Sequence, residues 1–282
     1  MKWQGRRTST NIEDRRQGGG SMRRTGGIGI IGLLVVLVVG MLFGVDVTPF
    51  FQGGGNVTQT SAPAGPNEIN DQMEEFVAVV LAETEEVWGD VFAQSGFDYT
   101  EPRLVLYSAG TVSACGAAQS AMGPFYCPND QTVYLDTDFF NTMANQMGAG
   151  GDFAFAYVIA HEVGHHVQNE LGVLGQVNQQ RRAMGQRGSN ALSVRVELQA
   201  DCYAGLWANV SAGTLQLTEQ DIDEALNTAA RIGDDALQRA AQGRVVPDSF
   251  THGTSEQRQR WFARGFQTGD PNACDTFSAN PL

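Results

Sequence analysis

The segment 161–165, His-Glu-Val-Gly-His, constrains the fold more than any other feature of the sequence. The chain contains only four histidines, and two of them stand four residues apart in this segment. Side chains with that spacing share a face when the backbone is an α-helix. The preceding run, 153–160, is apolar, which is typical of a buried helix. The sequence therefore predicts a buried helix over 152–170, with Asp152 as its N-cap and two imidazoles on one face.

The rest of the chain beyond residue 67 combines helical and strand patterns. Apolar residues recur at helical spacing in three further segments: 68–88, 190–208 and 218–241. Capping-box sequences begin at Thr218 and at Thr254, and the second predicts one more helix. Short runs rich in β-branched and aromatic residues predict strands over 102–108 and 131–136. These patterns predict an α+β fold that is rich in helix and contains a small sheet.

Charge is distributed unevenly along the chain, whose formal net charge is −13. Residues 1–24 carry seven basic and two acidic side chains, whereas 25–45 carry none and are mostly apolar. At 1.5 Å per residue such a run just crosses a hydrocarbon core of about 30 Å. We therefore expect one transmembrane helix over 25–45, with the basic side cytoplasmic. A cleaved signal peptide is the alternative, although no good cleavage site follows the apolar run.

The same patterns divide the chain into four parts. Residues 1–24 are predicted to be a cytoplasmic, basic, disordered tail, and 25–45 the membrane helix. The Gly- and Pro-rich stretch 46–66 is predicted to be a flexible linker. Residues 67–282 are predicted to form the folded domain, which would lie outside the cytoplasm. Because this part is strongly acidic, a nucleic-acid partner is not expected.

All four cysteines lie beyond the apolar segment, where an even number of cysteines in an exported region predicts two disulfides. Cys115 and Cys127 flank a turn-rich stretch and form the favoured local pair, which leaves Cys202 to pair with Cys274. Four cysteines allow three connectivities, so this pairing is a hypothesis. A zinc cluster of cysteines is disfavoured because the sequence contains no Cys-x-x-Cys.

The paired histidines predict a zinc site. His161 and His165 can bind one Zn²⁺, and Glu162 can take a proton from the water that zinc activates for attack on a carbonyl. A third protein ligand is needed to leave one position open. The candidates are His166, Glu197, Asp201 and His252. His166 points about 100° away from His165 around the helix, so it is expected to cap, pack or face solvent.

Glu197 and Asp201 lie four residues apart on the predicted helix over 190–208, so their carboxylates share one face. We assign Glu197 to zinc and Asp201 to the N–H of a ligand histidine. The reverse assignment and a solvated acidic face are the alternatives. His252 could donate a hydrogen bond to the oxyanion formed during amide hydrolysis, or it could be a structural histidine. For Arg258, a salt bridge is favoured over binding of a peptide carboxylate.

These motifs, taken together, resemble those of the bacterial neutral zinc metallopeptidases, a gluzincin-like family. The matching segments are 3–7 (WQGRR), 13–16 (EDRR), 123–128 (GPFYCP), 133–136 (VYLD), 161–166 (HEVGHH), 197–202 (ELQADC) and 249–255 (SFTHGTS). The resemblance covers nearly the whole chain. It implies a zincin-like fold, a Zn²⁺ cofactor and a protein or peptide substrate. It also implies a bacterial cell membrane protein, although it does not identify the substrate.

The function predicted from the sequence is therefore zinc-dependent hydrolysis of peptide bonds by an extracytoplasmic domain, with Glu162 as general base. Two other classes stay open. One is a domain that binds partners in the cell envelope and uses zinc only for stability. The other is a domain of chaperone type that acts on proteins without cleaving them. A structural zinc site would have four protein ligands, whereas three are named here together with a glutamate suited to activate water.

Overall fold

The computed structural model describes residues 1–16, 69–119 and 123–282. The helices are α1 (Gln72–Gln94), α2 (Thr137–Gln146), α3 (Asp152–Glu170), α4 (Val173–Arg181), α5 (Gln186–Ser211), α6 (Glu219–Arg231), α7 (Asp234–Gln242) and α8 (Ser255–Thr268). The strands are β1 (Ile12–Asp14), β2 (Arg103–Tyr107), β3 (Gly110–Ser113), β4 (Gly116–Gln119), β5 (Phe125–Cys127) and β6 (Thr132–Asp136). Short 3-10 turns occupy Pro247–Ser249 and Pro271–Cys274. The domain therefore has the helix-rich α+β character that the sequence predicts.

Local sequence explains where several helices begin. Both predicted capping boxes are confirmed, because the side chains of Thr218 and Thr254 each accept a backbone N–H three residues later. The predicted N-cap Asp152 is instead the first residue of α3, and Gly151 is the cap. The single helix predicted over 218–241 is wrong, since α6 ends at Arg231 and α7 begins three residues later. Between them, Gly233 packs so closely on the start of α8 that a Cβ atom there would overlap Ser255.

Within the part of the chain that the structure describes, four strands form the main sheet in the order β1-β2-β6-β5. The pairs β1–β2 and β2–β6 are parallel, and β5 pairs antiparallel to β6. Every residue of β6 is buried, as expected of an internal strand with side chains covered on both faces. Strands β3 and β4 form a separate antiparallel hairpin. One edge of the main sheet is therefore the antiparallel strand β5, and the other is β1.

Two disulfides join different elements of the fold, one across 12 residues of sequence and the other across 72. Cys115, at the turn of the β3–β4 hairpin, is bonded to Cys127 at the end of β5. Cys202, in α5, is bonded to Cys274 in the last 3-10 turn. The pairing predicted from the sequence is confirmed.

Helices α5 and α8 pack against each other through glycines. A Cβ atom at Gly205 of α5 would overlap the carbonyl oxygen of Phe262, and one at Gly265 of α8 would overlap the carbonyl oxygen of Cys202. Only glycine allows two backbones to approach this closely. This contact fixes the position of α8 relative to the helix that carries Glu197 and Asp201.

Residues 1–16, here called the N-terminal arm, are packed on the domain. The Trp3 ring is only 2% exposed, packs edge-on against Phe76, and donates from its indole nitrogen to the Asp152 carboxylate at 2.8 Å. Ile12 is buried where β1 joins the sheet. The sequence predicts a disordered tail over 1–24, whereas the first sixteen residues are packed on the domain.

The reason for this difference lies in α1, which carries carboxylates that face the arm. Arg6 pairs with Glu83 at 2.8 Å, and Arg7 pairs with Glu85 at 3.1 Å and with Glu86 at 2.8 Å. Basic residues that indicate membrane orientation in the sequence thus have partners within the domain. The predicted topology places residues 1–24 and the folded domain on opposite sides of a membrane. In the structure, these contacts hold residues 1–16 against that domain.

Among residues 1–16, 69–119 and 123–282, no helix combines the length and the apolar character needed to span a bilayer. The fold class predicted from the sequence includes one transmembrane helix, and this finding corrects that part of the prediction. The longest described helices, α1 and α5, carry charged side chains that interrupt any apolar run. The segments predicted to be the membrane helix, 25–45, and the linker, 46–66, lie outside the described residues.

Candidate metal centre

Helices α3 and α5 meet at a glycine in the middle of the paired-histidine segment. A Cβ atom at Gly164 would lie 3.1 Å from the carbonyl oxygen of Ala200 and 3.2 Å from its Cα atom, so α3 has little room there for a larger residue. His161 and His165 flank Gly164 on one side of the contact. Glu197 and Asp201 flank Ala200 on the other. Close packing at one point therefore brings the two predicted motifs face to face.

Three side chains converge at this contact. The His161 Nε2 atom lies 3.2 Å from Glu197 Oε2, and the His165 Nε2 atom lies 3.6 Å from Glu197 Oε1. One ligand atom from each of the three residues lies within 4.8 Å of the others, a spacing that could hold a metal ion. Two imidazole nitrogens and one carboxylate oxygen are a donor set that suits Zn²⁺. The residues assigned to zinc from the sequence are thus brought together.

Asp201 lies behind His161 and contacts its other ring nitrogen. Asp201 Oδ1 is 2.8 Å from His161 Nδ1, and the buried Arg258 guanidinium donates to both Asp201 oxygens at 2.8 and 2.9 Å. The Tyr157 hydroxyl donates to Asp201 Oδ1 at 2.6 Å. Burial alone would raise the pKa of Asp201, but Arg258 and His161 lower it to about 2. Asp201 is therefore a carboxylate that orients His161 through Nδ1 and leaves Nε2 facing Glu197.

His165 is oriented by an uncharged group. Its Nδ1 atom lies 2.8 Å from Oε1 of Gln168, one turn later on α3. Burial disfavours the charged imidazole, but the Glu197 carboxylate outweighs this effect and the pKa of His165 is raised to about 9. A bound cation would displace that proton, so we expect metal binding to weaken as the pH falls below this value.

Glu162 follows His161 on α3 and is 8% exposed. Burial raises the pKa of its carboxyl group, and the nearby His165 and His161 partly oppose that shift. The carboxyl group lies close enough to Glu197 for the two to repel each other. A carboxyl group held this way has the raised proton affinity that suits a general base.

His252 lies on the loop between the 247–249 turn and α8, and its side chain is half exposed. The loop folds around the carboxylate of Asp234, the first residue of α7, which accepts backbone N–H groups from Thr251, His252 and Gly253 at 2.8, 2.6 and 3.0 Å. His252 Nδ1 lies 3.2 Å from the other Asp234 oxygen. Burial lowers the pKa of His252, but Glu197 and Asp234 together raise it above its ordinary value.

His166 and Arg258, two other residues considered in the sequence, lie outside the group of three candidate ligands. His166 points away from the convergent side chains, with Nδ1 at 3.0 Å from the Tyr126 hydroxyl and Nε2 at 2.6 Å from the Thr100 carbonyl oxygen. Arg258 forms the salt bridge favoured in the sequence analysis, and its partner is Asp201. His166 is therefore a packed residue that supports β5, and Arg258 holds the Asp201 carboxylate beside the candidate ligand His161.

Three residues that contact the site are missed by the sequence analysis: Tyr157, Gln168 and Asp234. A signal existed for the first two, because Tyr157 is four residues before His161 and Gln168 is three residues after His165, both on the ligand face of α3. No comparable signal marks Asp234, since its contact with the 251–253 loop arises only in the tertiary structure.

Comparison with known proteins agrees with this geometry. The model of the family described as "Putative neutral zinc metallopeptidase" matches residues 1–277. The chain belongs to this family. The match includes the arm, both ligand-bearing helices and the His252 loop, so the family definition spans every part of the site described above.

Relatives in the family are similar over long stretches. The "Uncharacterized protein YpfJ" of Escherichia coli (strain K12) is 50% identical over 285 residues, which cover 98% of this chain and 99% of the relative. The "Uncharacterized protein Rv2575" of Mycobacterium tuberculosis (strain ATCC 25618 / H37Rv) is 50% identical over 195 residues, which cover 65% of each chain. No solved structure matches the chain.

Proposed function

We propose that this protein is a zinc-dependent peptidase in which His161, His165 and Glu197 hold the metal and Glu162 is the general base. The observation that carries the proposal is the arrangement of the two imidazoles. Each ring has its Nδ1 atom against an oxygen acceptor and its Nε2 atom toward Glu197. Once a cation displaces the Nε2 proton, two Nε2 lone pairs and a carboxylate would face one point, and three protein ligands would leave a coordination position open, as in catalytic zinc sites.

The chemistry divides between the ion and the side chains. When bound, Zn²⁺ supplies a Lewis acid that polarises the peptide carbonyl and lowers the pKa of a water molecule. Glu162 takes a proton from the attacking water and passes it to the amine that leaves. His252 acts in its protonated form, which Glu197 and Asp234 favour by raising its pKa: Nδ1 donates to Asp234, and Nε2 donates to the oxygen that gains negative charge. Asp201 holds the His161 ring in place throughout.

An extended peptide could bind along β5. β6 lies inside the main sheet, and β5 is the edge strand beside it. β5 is also next to the catalytic helix, because Tyr126 of β5 contacts His166 of α3 at 3.0 Å. A peptide added at a sheet edge is held by backbone hydrogen bonds that are independent of its side chains. This supports a protein or peptide substrate in an extended conformation.

The proposal is tested with the full chain, because the arm is part of the folded body. Purified protein is incubated with an unfolded reporter protein, with zinc and with a chelator, and cleavage products are identified by mass spectrometry. Zinc-dependent cleavage supports a peptidase. Zinc binding without cleavage would instead support the non-catalytic envelope domain, and zinc binding with refolding of the uncleaved reporter would support the chaperone-like alternative.

Glu197→Ala is expected to reduce the apparent zinc affinity by more than about 100-fold, because loss of a direct ligand costs more than loss of an outer contact. The measurement is competition with a chromogenic chelator at neutral pH. Glu256→Ala removes an exposed carboxylate from α8 and is the control that should keep wild-type affinity. Stoichiometric, tight zinc in the Glu197→Ala protein would place the third ligand elsewhere.

His252→Ala is expected to lower kcat by about 100- to 1000-fold with zinc content unchanged, because the variant loses one hydrogen-bond donor to the oxyanion. KM should change much less, since the donor acts mainly on the transition state. Steady-state kinetics on a fluorogenic peptide, with zinc measured on the same sample, checks this prediction. Wild-type kcat in the variant would leave His252 with only the structural role considered in the sequence analysis.

A further inference from the structure

The two histidines of the metal centre are held by acceptors of different kinds. His161 faces the Asp201 carboxylate, which is itself fixed by the Arg258 guanidinium. His165 faces the neutral amide of Gln168. An amide has an oxygen at one end and an NH₂ group at the other, so it orients a histidine only if its own direction is fixed. The surroundings of Gln168 therefore decide whether His165 presents a lone pair or an N–H toward the metal.

Two acceptors fix the direction of the Gln168 amide. Its Nε2 atom donates to the Val196 carbonyl oxygen at 2.7 Å and to Gln199 Oε1 at 3.0 Å. The side chain is fully buried, so water cannot supply substitute partners. With Nε2 engaged by two acceptors, Oε1 is the end that faces His165. His165 must then donate from Nδ1, which leaves the Nε2 lone pair for the metal.

The amide of Gln199 must also be held in one orientation, and a backbone carbonyl group near the C-terminal end of the domain holds it. Gln199 Nε2 donates to the Cys274 carbonyl oxygen at 3.1 Å, so Oε1 is the end that accepts from Gln168. The hydrogen bonds thus run in one direction from His165 through Gln168 and Gln199 to the Cys274 carbonyl group. We call this series the glutamine chain.

The last acceptor of the glutamine chain belongs to a residue in a disulfide. Cys274 is bonded to Cys202 of α5, and both residues are fully buried. The residues after Cys274 are also attached to α5, since the Thr276 hydroxyl donates to the Arg195 carbonyl oxygen at 2.6 Å and Arg195 donates to the Phe277 carbonyl oxygen at 3.2 Å. The disulfide therefore holds the Cys274 carbonyl group at a fixed place beside Gln199.

We propose that Gln168 and Gln199 are positioning residues for the metal ligand His165, and that the Cys202–Cys274 disulfide anchors them through the Cys274 carbonyl group. This inference rests on the proposed metal site. It adds a structural consequence: a covalent bond near the C-terminal end of the chain contributes to metal affinity, although neither of its cysteines is a ligand. The Cys115–Cys127 disulfide joins the hairpin to β5 instead of anchoring the Cys274 carbonyl group, so it should not contribute in this way.

The experiment compares zinc affinities of full-length variants by chelator competition, at a temperature where circular dichroism shows each to be folded. Gln168→Leu and Gln199→Leu remove the two amides, and Cys202→Ser combined with Cys274→Ser removes the anchor. Cys115→Ser combined with Cys127→Ser is the matched control. We expect about 10- to 100-fold weaker zinc binding in the first three variants and wild-type affinity in the control. The visible spectrum of bound Co²⁺ should change in the same three variants, because ligand geometry changes.

The outcomes separate this inference from the proposed function. If wild-type protein binds no zinc, the proposed metal site itself is wrong. If wild-type protein binds zinc, His161→Ala does not, and Gln199→Leu binds as tightly as wild type, the glutamine chain has no positioning role and the inference is overturned. If the protein lacking Cys202 and Cys274 does not fold, Gln199→Leu decides alone, because that variant keeps the disulfide.

Discussion

Glu162→Gln is expected to lower kcat by about 1000-fold while zinc binding stays at the wild-type level. The amide has nearly the same size and shape as the carboxylate, but it cannot accept the proton of the attacking water. Because Glu162 is largely buried beside the ligands, bulk water has poor access to replace it. None of the three convergent ligand atoms belongs to Glu162, so the metal site should be retained.

The measurement is kcat on a fluorogenic peptide, together with zinc content by atomic absorption on the same preparation. Glu170→Gln is the matched control, since it makes the same chemical change two turns later on α3, where the side chain accepts a hydrogen bond from Gln131 at the surface. That control should keep kcat within about twofold of wild type. Full hydrolytic activity in the Glu162→Gln protein would contradict the proposed mechanism, whatever its zinc content.

The candidate ligand residues could be proposed from the sequence because their arrangement is mostly local. His161 and His165 share a face as soon as 152–170 is helical, and the same holds for Glu197 and Asp201 on α5. Burying polar side chains without partners is costly, so the two histidines and the two carboxylates are expected to contact each other. Their meeting depends on the close contact of Gly164 with Ala200, which no spacing in the sequence predicts.

The supports of the site were harder to predict because they depend on contacts between distant parts of the chain. The orientation of the Gln199 amide is fixed by a hydrogen bond to the Cys274 carbonyl group, 75 residues later. Asp234 holds a loop 17 to 19 residues away, and it is able to do so because the predicted helix over 218–241 is interrupted at Gly233. Local periodicity does not indicate which uncharged amide will be oriented by a distant group, or where a predicted helix will be interrupted.

The N-terminal arm shows how composition can mislead. The Arg-rich composition of residues 1–24 predicts a disordered tail, whereas residues 1–16 are packed on the domain. The carboxylates that pair with Arg6 and Arg7 lie on α1, 77 to 79 residues later, within a helix whose periodicity indicates only an amphipathic core element. A sequence gives the charges of both segments, but their pairing is a property of the folded domain.

Trp3→Ala is therefore expected to destabilise the folded domain by about 3–5 kcal/mol, the cost typical of removing a fully buried aromatic side chain. The change leaves a cavity beside Phe76 and removes the hydrogen bond to Asp152, the first residue of the helix that carries both histidines. A disordered tail would give no such effect. Chemical denaturation of the full chain, followed by circular dichroism, measures the free energy of unfolding.

Gln4→Ala is the control for this experiment, because Gln4 is the exposed neighbour of Trp3 and its loss should change stability by less than about 0.5 kcal/mol. Equal unfolding free energies for Trp3→Ala and wild type would mean that the arm does not pack on the domain in solution. Because Asp152 begins α3, loosening of the arm should also reach the ligand histidines. The Trp3→Ala protein is thus expected to lose zinc at a lower denaturant concentration than the Gln4→Ala protein, which ties the stability of the arm to that of the metal centre.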